Sequence, residues 1–216
     1  MAIILLIRHG ENDWVGKKLA GRLPNIHLNK TGLDQARNLA TTLKDLPIKA
    51  IYSSPLERAM ETAQPLSSTK NLEITICVEL SEINFGDWQG KTIKQLRRLK
   101  LWKTVQEKPS QMQFPNGESF AEAQLRLVGC INKISNNHES SDLIACFSHS
   151  DSIRLLVNYY FSMPLDCLQR IHINTASVTV LMLMKDHISI PHVNLIDPDK
   201  FIAQFKELND HLKKEK

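Results

Sequence analysis

Residues 3–12 read IILLIRHGEN, and the fold turns on how this run is taken. Five aliphatic residues, Ile3 to Ile7, stop abruptly at polar residues and a glycine, the pattern of a short buried strand. A strand that ends at Arg8-His9 carries a guanidinium and an imidazole to the edge of a sheet. There they meet either solvent or something anionic.

Working outward, strand-like and helix-like segments alternate. KTGLDQARNLATTLKDL (30–46) predicts an amphipathic helix, with Thr31 as N-cap and Leu33, Ala36, Ala40 and Leu43 on one face. KAIYSS (49–54) is a second strand, after which Ser54 and Pro55 open a helix running to about Ser67. LEITICVE (72–79) alternates as a third strand, and residues 92–103 and 118–135 carry helical patterns around a polar Pro/Gly loop. DLIACFS (142–148), SIRLLVNYYF (152–161) and ASVTVLMLM (176–184) predict strand, helix and strand. HISIPHVNLI (187–196) is a further partner that Pro191 confines to a sheet edge. Such alternation predicts an α/β fold, a three-layer sandwich with a mostly parallel central sheet and helices on both faces. At 216 residues, without repeats or a linker, the chain reads as a single domain over 1–216.

Composition narrows the function. A hydrophobic content of 42% and a charged content of 23% are those of ordinary soluble globular proteins. The net charge of +4 is mild, and the basic runs KQLRRLKLWK (94–103) and HLKKEK (211–216) read as solvated helix faces. No nucleic-acid partner is expected. Cys77, Cys130, Cys146 and Cys167 are far apart in sequence and read as small core residues of a reducing compartment. The eight histidines form no i,i+4 pair, so neither a metal site nor another cofactor is expected. The apolar N-terminal run is too short for a signal peptide, and no stretch approaches a membrane span, so a cytoplasmic protein is expected. The sequence assigns no oligomeric state.

In α/β sheets ligands bind beyond the C-terminal ends of the strands. Past the first strand stand Arg8, His9 and Gly10; past the second, Arg58; past the third, Glu79 and Glu82; past the fourth, Ser148, His149 and Ser150. Singly these are ordinary boundary residues, but no local rule places them together at four strand ends. Two guanidiniums suit the charge of a phosphoryl group in flight. A neutral imidazole is a competent nucleophile, and a carboxyl group serves as acid and then base.

These residues also carry a resemblance. LLIRHGEN, AGRLPNIHLNKTGLDQA, IYSSPLERAMETA, LSEINFGDWQG, FPNGESFAEAQLR, FSHSDSIRLLVNYYFSMPLD and INTASVTVL resemble, in order, the signature segments of the histidine phosphatase (phosphoglycerate-mutase-like) superfamily. The likeness is nearest to the branch that carries a phosphomutase label. It implies that His9 is phosphorylated, that Arg8, Arg58 and His149 grip the phosphate, and that Glu82 is the general acid and base. Glu79 is then an exposed strand-end carboxylate. Arg22 is a candidate contact to substrate or phosphate, and Asn12 a candidate replacement for a family asparagine where this chain has Val15. Relatives commonly carry glycine after the second histidine, whereas here Ser150 and Asp151 follow, with Asp151 expected to cap the next helix. The implied activity is metal-independent hydrolysis of a small phosphorylated metabolite through a phosphohistidine. A phosphomutase and a catalytically idle phosphate-binding module are the alternatives. The compact FGDWQGKT favours hydrolysis, because mutases of this superfamily usually carry a longer segment there. Residues 84–120 are expected to form a lid, with Phe85, Trp88, Trp102 and Phe114 available to line the pocket.

Overall fold

In a computed structural model, residues 2–139, 142–184 and 187–196 are described. Six strands form one sheet in the order β3-β2-β4-β1-β5-β6. These are β1 (Ile3–Arg8), β2 (Ile48–Ser53), β3 (Ile74–Ile76), β4 (Leu143–Ser148), β5 (Val178–Leu183) and β6 (Ile188–Leu195). The first four run parallel, β5 is antiparallel to β1, and β6 is antiparallel to β5. Pro191 lies in β6 at the sheet edge, where a missing N–H breaks no interior ladder.

The pleat sends alternate residues of β1 to opposite faces, and both faces are covered. Ile3, Leu5 and Ile7 join a core with helices α1 (Lys30–Leu43) and α2 (Glu57–Lys70). Ile4 and Leu6 join another with α5 (Phe120–Asn136) and α6 (Ser150–Tyr160). The three-layer sandwich expected from the alternation is the fold observed.

Boundaries differ in physically readable ways. Asn29, not Thr31, caps α1, its Oδ1 accepting the Gly32 N–H at 2.9 Å. Leu33, placed on the apolar face by its spacing, is exposed. α2 begins two residues after Pro55 with Leu56, not Ser54, at the N-cap, and it carries Pro65 inside. β3 is only three residues long. The helix expected over 92–103 is two short ones, α3 (Ile93–Leu96) and α4 (Leu101–Glu107). The basic run at 211–216 lies outside the described residues.

Candidate active site

Strands β1 and β4 run in register to Arg8 and Ser148, so the residues that follow are neighbours across the crevice. The His9 N–H donates to the Ser148 carbonyl at 3.0 Å, and the His9 and His149 rings lie with centroids 5.3 Å apart. His9 is only 5% exposed. Its Nδ1 is 2.7 Å from the Gly10 carbonyl, which only accepts, so Nδ1 carries the proton and Nε2 keeps a lone pair. The loop is held tightly. Gly10 donates to Thr62 Oγ1 at 2.9 Å, and that hydroxyl donates to the Arg58 carbonyl at 2.6 Å. Gly10 and Gly32 pack backbone to backbone: a Cβ on Gly32 would fall 2.1 Å from the Glu11 carbonyl oxygen.

Burial, and then the Arg58 and Arg8 guanidiniums, hold the His9 pKa well below its ordinary value. Burial and Arg58 do the same to His149. Both imidazoles are therefore neutral near pH 7. His149 is fully buried, with Nε2 2.8 Å from Ser54 Oγ.

Arg58 is 1% exposed, an unusual place for a permanent cation. Its Nη2 donates to the Gly21 carbonyl at 2.7 Å, and Arg8 Nη1 donates to the Ile173 carbonyl at 2.6 Å. The other donors are not so placed: Arg8 Nε, Arg58 Nε and Nη1, and His149 Nδ1 are buried without a protein partner among the described residues. Each such group costs about 1–3 kcal/mol, more when charged, unless an acceptor meets it. An anion between the arginines fits that donor set.

Glu82 is buried beside them. Its Oε1 accepts from Ile83 N (3.0 Å), Ser152 N (3.2 Å) and Ser152 Oγ (3.1 Å), and Asp151 N lies 3.4 Å from Oε2. Burial first, and the Asp151 carboxylate second, raise its pKa. A cavity of about 170 Å³ is lined by Arg8, His9, Asn12, Arg58, Glu82 and Asp151, among others. A second cavity of about 180 Å³ shares Phe85, Leu19, Ile93 and Asp151 with it and is walled by Trp88, Trp102 and Phe114. Phe85, Trp88, Trp102 and Phe114 also pack on one another, with Phe85–Phe114 and Trp88–Phe114 centroids at 4.9 and 5.3 Å.

Two expectations change here. Arg22 does not line the first cavity; its Nε donates to the Glu82 carbonyl at 2.8 Å and its Nη2 to Glu118 at 2.7 Å, so it holds the backbone of Glu82. Asp151 does not cap α6, since His149 occupies the N-cap position. Asp151 instead lies in the first turn and pairs with Arg154 at 2.5 Å. Asn12 does line the cavity, with its Oδ1 accepting from the Trp14 N–H at 2.9 Å, and Val15 borders it with an apolar side chain. Ser54, expected only to open a helix, and Thr62 and Ser152, which no motif marks, also touch the site; Thr62 stands one helical turn after Arg58 and Ser152 three residues after His149. The metal-competent group found among the described residues is Cys77, Glu79 and Cys130, none of which lines this cavity.

The profile of the histidine phosphatase superfamily (branch 1) matches residues 4–196. Phosphoserine phosphatase 1 of Hydrogenobacter thermophilus is 29% identical over 72% of this chain and 74% of its own. A 2,3-bisphosphoglycerate-dependent phosphoglycerate mutase of Thermoplasma acidophilum is 30% identical, covering 84% and 87% respectively. The structure of Bacillus stearothermophilus YhfR superposes with a TM-score of 0.86 at 25% identity, over 92% of this chain and 100% of that one. With a profile match along almost its whole length and these relatives, the chain belongs to the histidine phosphatase superfamily (branch 1).

Proposed function

We propose that the protein hydrolyses small phosphomonoesters through a phosphohistidine on His9, with charge stabilisation by arginine and no metal ion. The observation that carries this reading is the set of unpartnered buried donors of Arg8 and Arg58 around the neutral imidazole of His9. Their planar forks match the equatorial oxygens of a phosphoryl group. His9 Nε2 attacks phosphorus, the bond to the ester oxygen breaks, and the Glu82 proton goes to that oxygen. The resulting carboxylate takes a proton from water, whose oxygen displaces His9 from phosphorus, releasing inorganic phosphate. Arg22, on the Glu82 carbonyl, positions the acid.

Relatives named as a phosphoserine phosphatase and as a phosphoglycerate mutase both support phosphoryl chemistry at such a site. Hydrolysis is favoured by the short path after Glu82, where a 3-10 turn, Gly86–Trp88, leads almost directly into α3.

The test is a panel of phosphorylated metabolites, with and without a bisphosphate primer and with a chelator throughout. Inorganic phosphate should appear without primer, and rapid quenching should trap an acid-labile, base-stable phosphoenzyme that His9→Ala lacks. Label passing between substrate positions only when primer is present would instead establish a mutase. Activity lost in chelator and restored by a divalent ion would contradict the arginine assignment.

A further inference from the structure

Away from this cavity, two cysteines distant in sequence meet. Cys77 follows β3 and leads into the 3-10 turn Val78–Leu80, while Cys130 lies on α5. Both are free thiols, with Sγ atoms 2.9 Å apart, close enough to share one hydrogen. Cys130 is buried but Cys77 is half-exposed, at the floor of a cleft of about 490 Å³. Arg126 and Lys133 line that cleft. Gly129 leaves its helical wall open, since a Cβ there would meet nothing within 4 Å. A small solute therefore has access to Cys77, and Arg126 and Lys133 face any carboxylates it bears, alongside the Glu79 carboxylate, which accepts from Cys77 Sγ at 3.3 Å. The hydrogen bond from Cys130 draws the Cys77 thiol below its ordinary pKa against the opposing effects of burial and the Glu79 carboxylate, while the same contact and burial push Cys130 up. With Cys77 open to the cleft and Cys130 buried behind it, the pair provides one attacking sulfur and one resolving thiol.

We propose that Cys77 and Cys130 are a redox-active dithiol, closed to a disulfide by a carboxylate-bearing small-molecule disulfide of the glutathione type, and that closure slows the reaction at Glu82. The Cys77 thiolate attacks one sulfur of the oxidant, forming a mixed disulfide and releasing one thiolate. Cys130 loses its proton, attacks Cys77 Sγ and releases the second. Two protein thiols are oxidised by two electrons, the oxidant is reduced to two thiols, and these take up the two protons.

Closure requires the sulfur atoms to approach to about 2.05 Å. That draws the Val78–Leu80 turn and α5 together, and Arg126 already spans the same two elements. One turn before Cys130, it donates to the Glu79 and Ser81 carbonyls and pairs with Glu118 at 2.8 Å. Ser81 directly precedes Glu82, and its carbonyl also accepts from Ser152 Oγ at 3.1 Å. A shift of this turn thus reaches the groups that hold the Glu82 carboxyl. The catalytic effect rests on the hydrolase reading above; disulfide formation does not.

The full chain, reduced and then equilibrated with graded ratios of reduced to oxidised glutathione at neutral pH, provides the test. Non-reducing peptide mapping should find Cys77 joined to Cys130, and two of the four thiols should disappear. Hydrolysis should fall about threefold or more, within the range that coupling through packed elements produces, and dithiothreitol should restore it. Cys77→Ser and Cys130→Ser should retain the reduced protein's activity and lose the response. A protein that crosslinks but hydrolyses nothing would overturn the proposed function and keep the dithiol. Absence of the crosslink, a mixed disulfide that stops at Cys77, or a crosslink without change in rate would each overturn this proposal. Stoichiometric zinc held through Cys77, Glu79 and Cys130 would also overturn it, in favour of a metal site.

Discussion

Glu82 is a carboxyl group whose proton the fold holds more tightly than water would. Its oxygens accept from the first turn of α6, which favours the charged form, yet burial and the nearby Asp151 outweigh those bonds and raise its pKa. A proton held there matters most when the departing oxygen is basic. Glu82→Gln keeps the shape and removes the transferable proton. We therefore predict a loss of about 10²–10⁴ in phosphoenzyme formation from alkyl phosphates, and a much smaller loss from a nitrophenyl phosphate. Equal burst-phase losses for both would show that Glu82 acts through charge or shape alone. The same proton sets a pH limb: alkyl-ester turnover falls as pH rises through the raised pKa of Glu82, and the Gln variant lacks that fall. At this scale the grouping was legible in the sequence, because Arg8 closes β1 and His9, Arg58, Glu82 and His149 come after strand ends. Ser54 was read as a cap, and nothing local reveals that its hydroxyl meets His149, a residue 95 positions away.

Within α6, the first turn presents an acid to the cavity that Arg8 and Arg58 also line. The α6 backbone follows β4 so directly that His149 takes the N-cap position and Asp151 falls inside the helix. A cap was the natural reading of Ser-Asp-Ser before an apolar run, and only the observed helix start overturns it. Arg154, at i+3, covers the carboxylate and also donates to the Leu168 carbonyl at 2.9 Å. Arg154→Met should leave Asp151 facing the substrate dianion and raise KM about tenfold or more, as expected for like charges in a partly buried site. Adding Asp151→Asn should recover most of the loss. Steady-state kinetics of the two single variants and the double decide the matter; no recovery would mean that Arg154 works through the Leu168 loop instead. Elements with strong patterns, such as β1, β4, α5 and α6, were legible. The split between α3 and α4 was not, because the basic residues between them fit a helical face equally well.

Across the whole molecule, two neutral imidazoles in the interior make stability depend on pH. Their folded pKa values lie below the unfolded value near 6.5, so below that pH the unfolded chain binds more protons and stability falls. The slope is up to about 1.4 kcal/mol per pH unit for each imidazole. Glu82, raised in the folded state, opposes one of them where it titrates. Tm should therefore drop as pH is lowered from 6.5 toward 5, and His149→Gln should flatten the slope; a Tm independent of pH in that window would contradict neutral burial. The layered α/β class followed from alternation alone, whereas the strand order did not, since β1 is flanked by strands from the far end of the chain. That placement bears on how the protein is made. β1 leaves the ribosome first of the six strands, yet Ile3 pairs with Leu143 and Met182. At about 5–20 residues per second, the apolar run waits on the order of ten seconds before either neighbouring strand exists. The segment that organises the finished sheet is thus the nascent chain's longest-lived sticky surface, and slower growth at low temperature or an abundant holdase chaperone should govern the soluble yield.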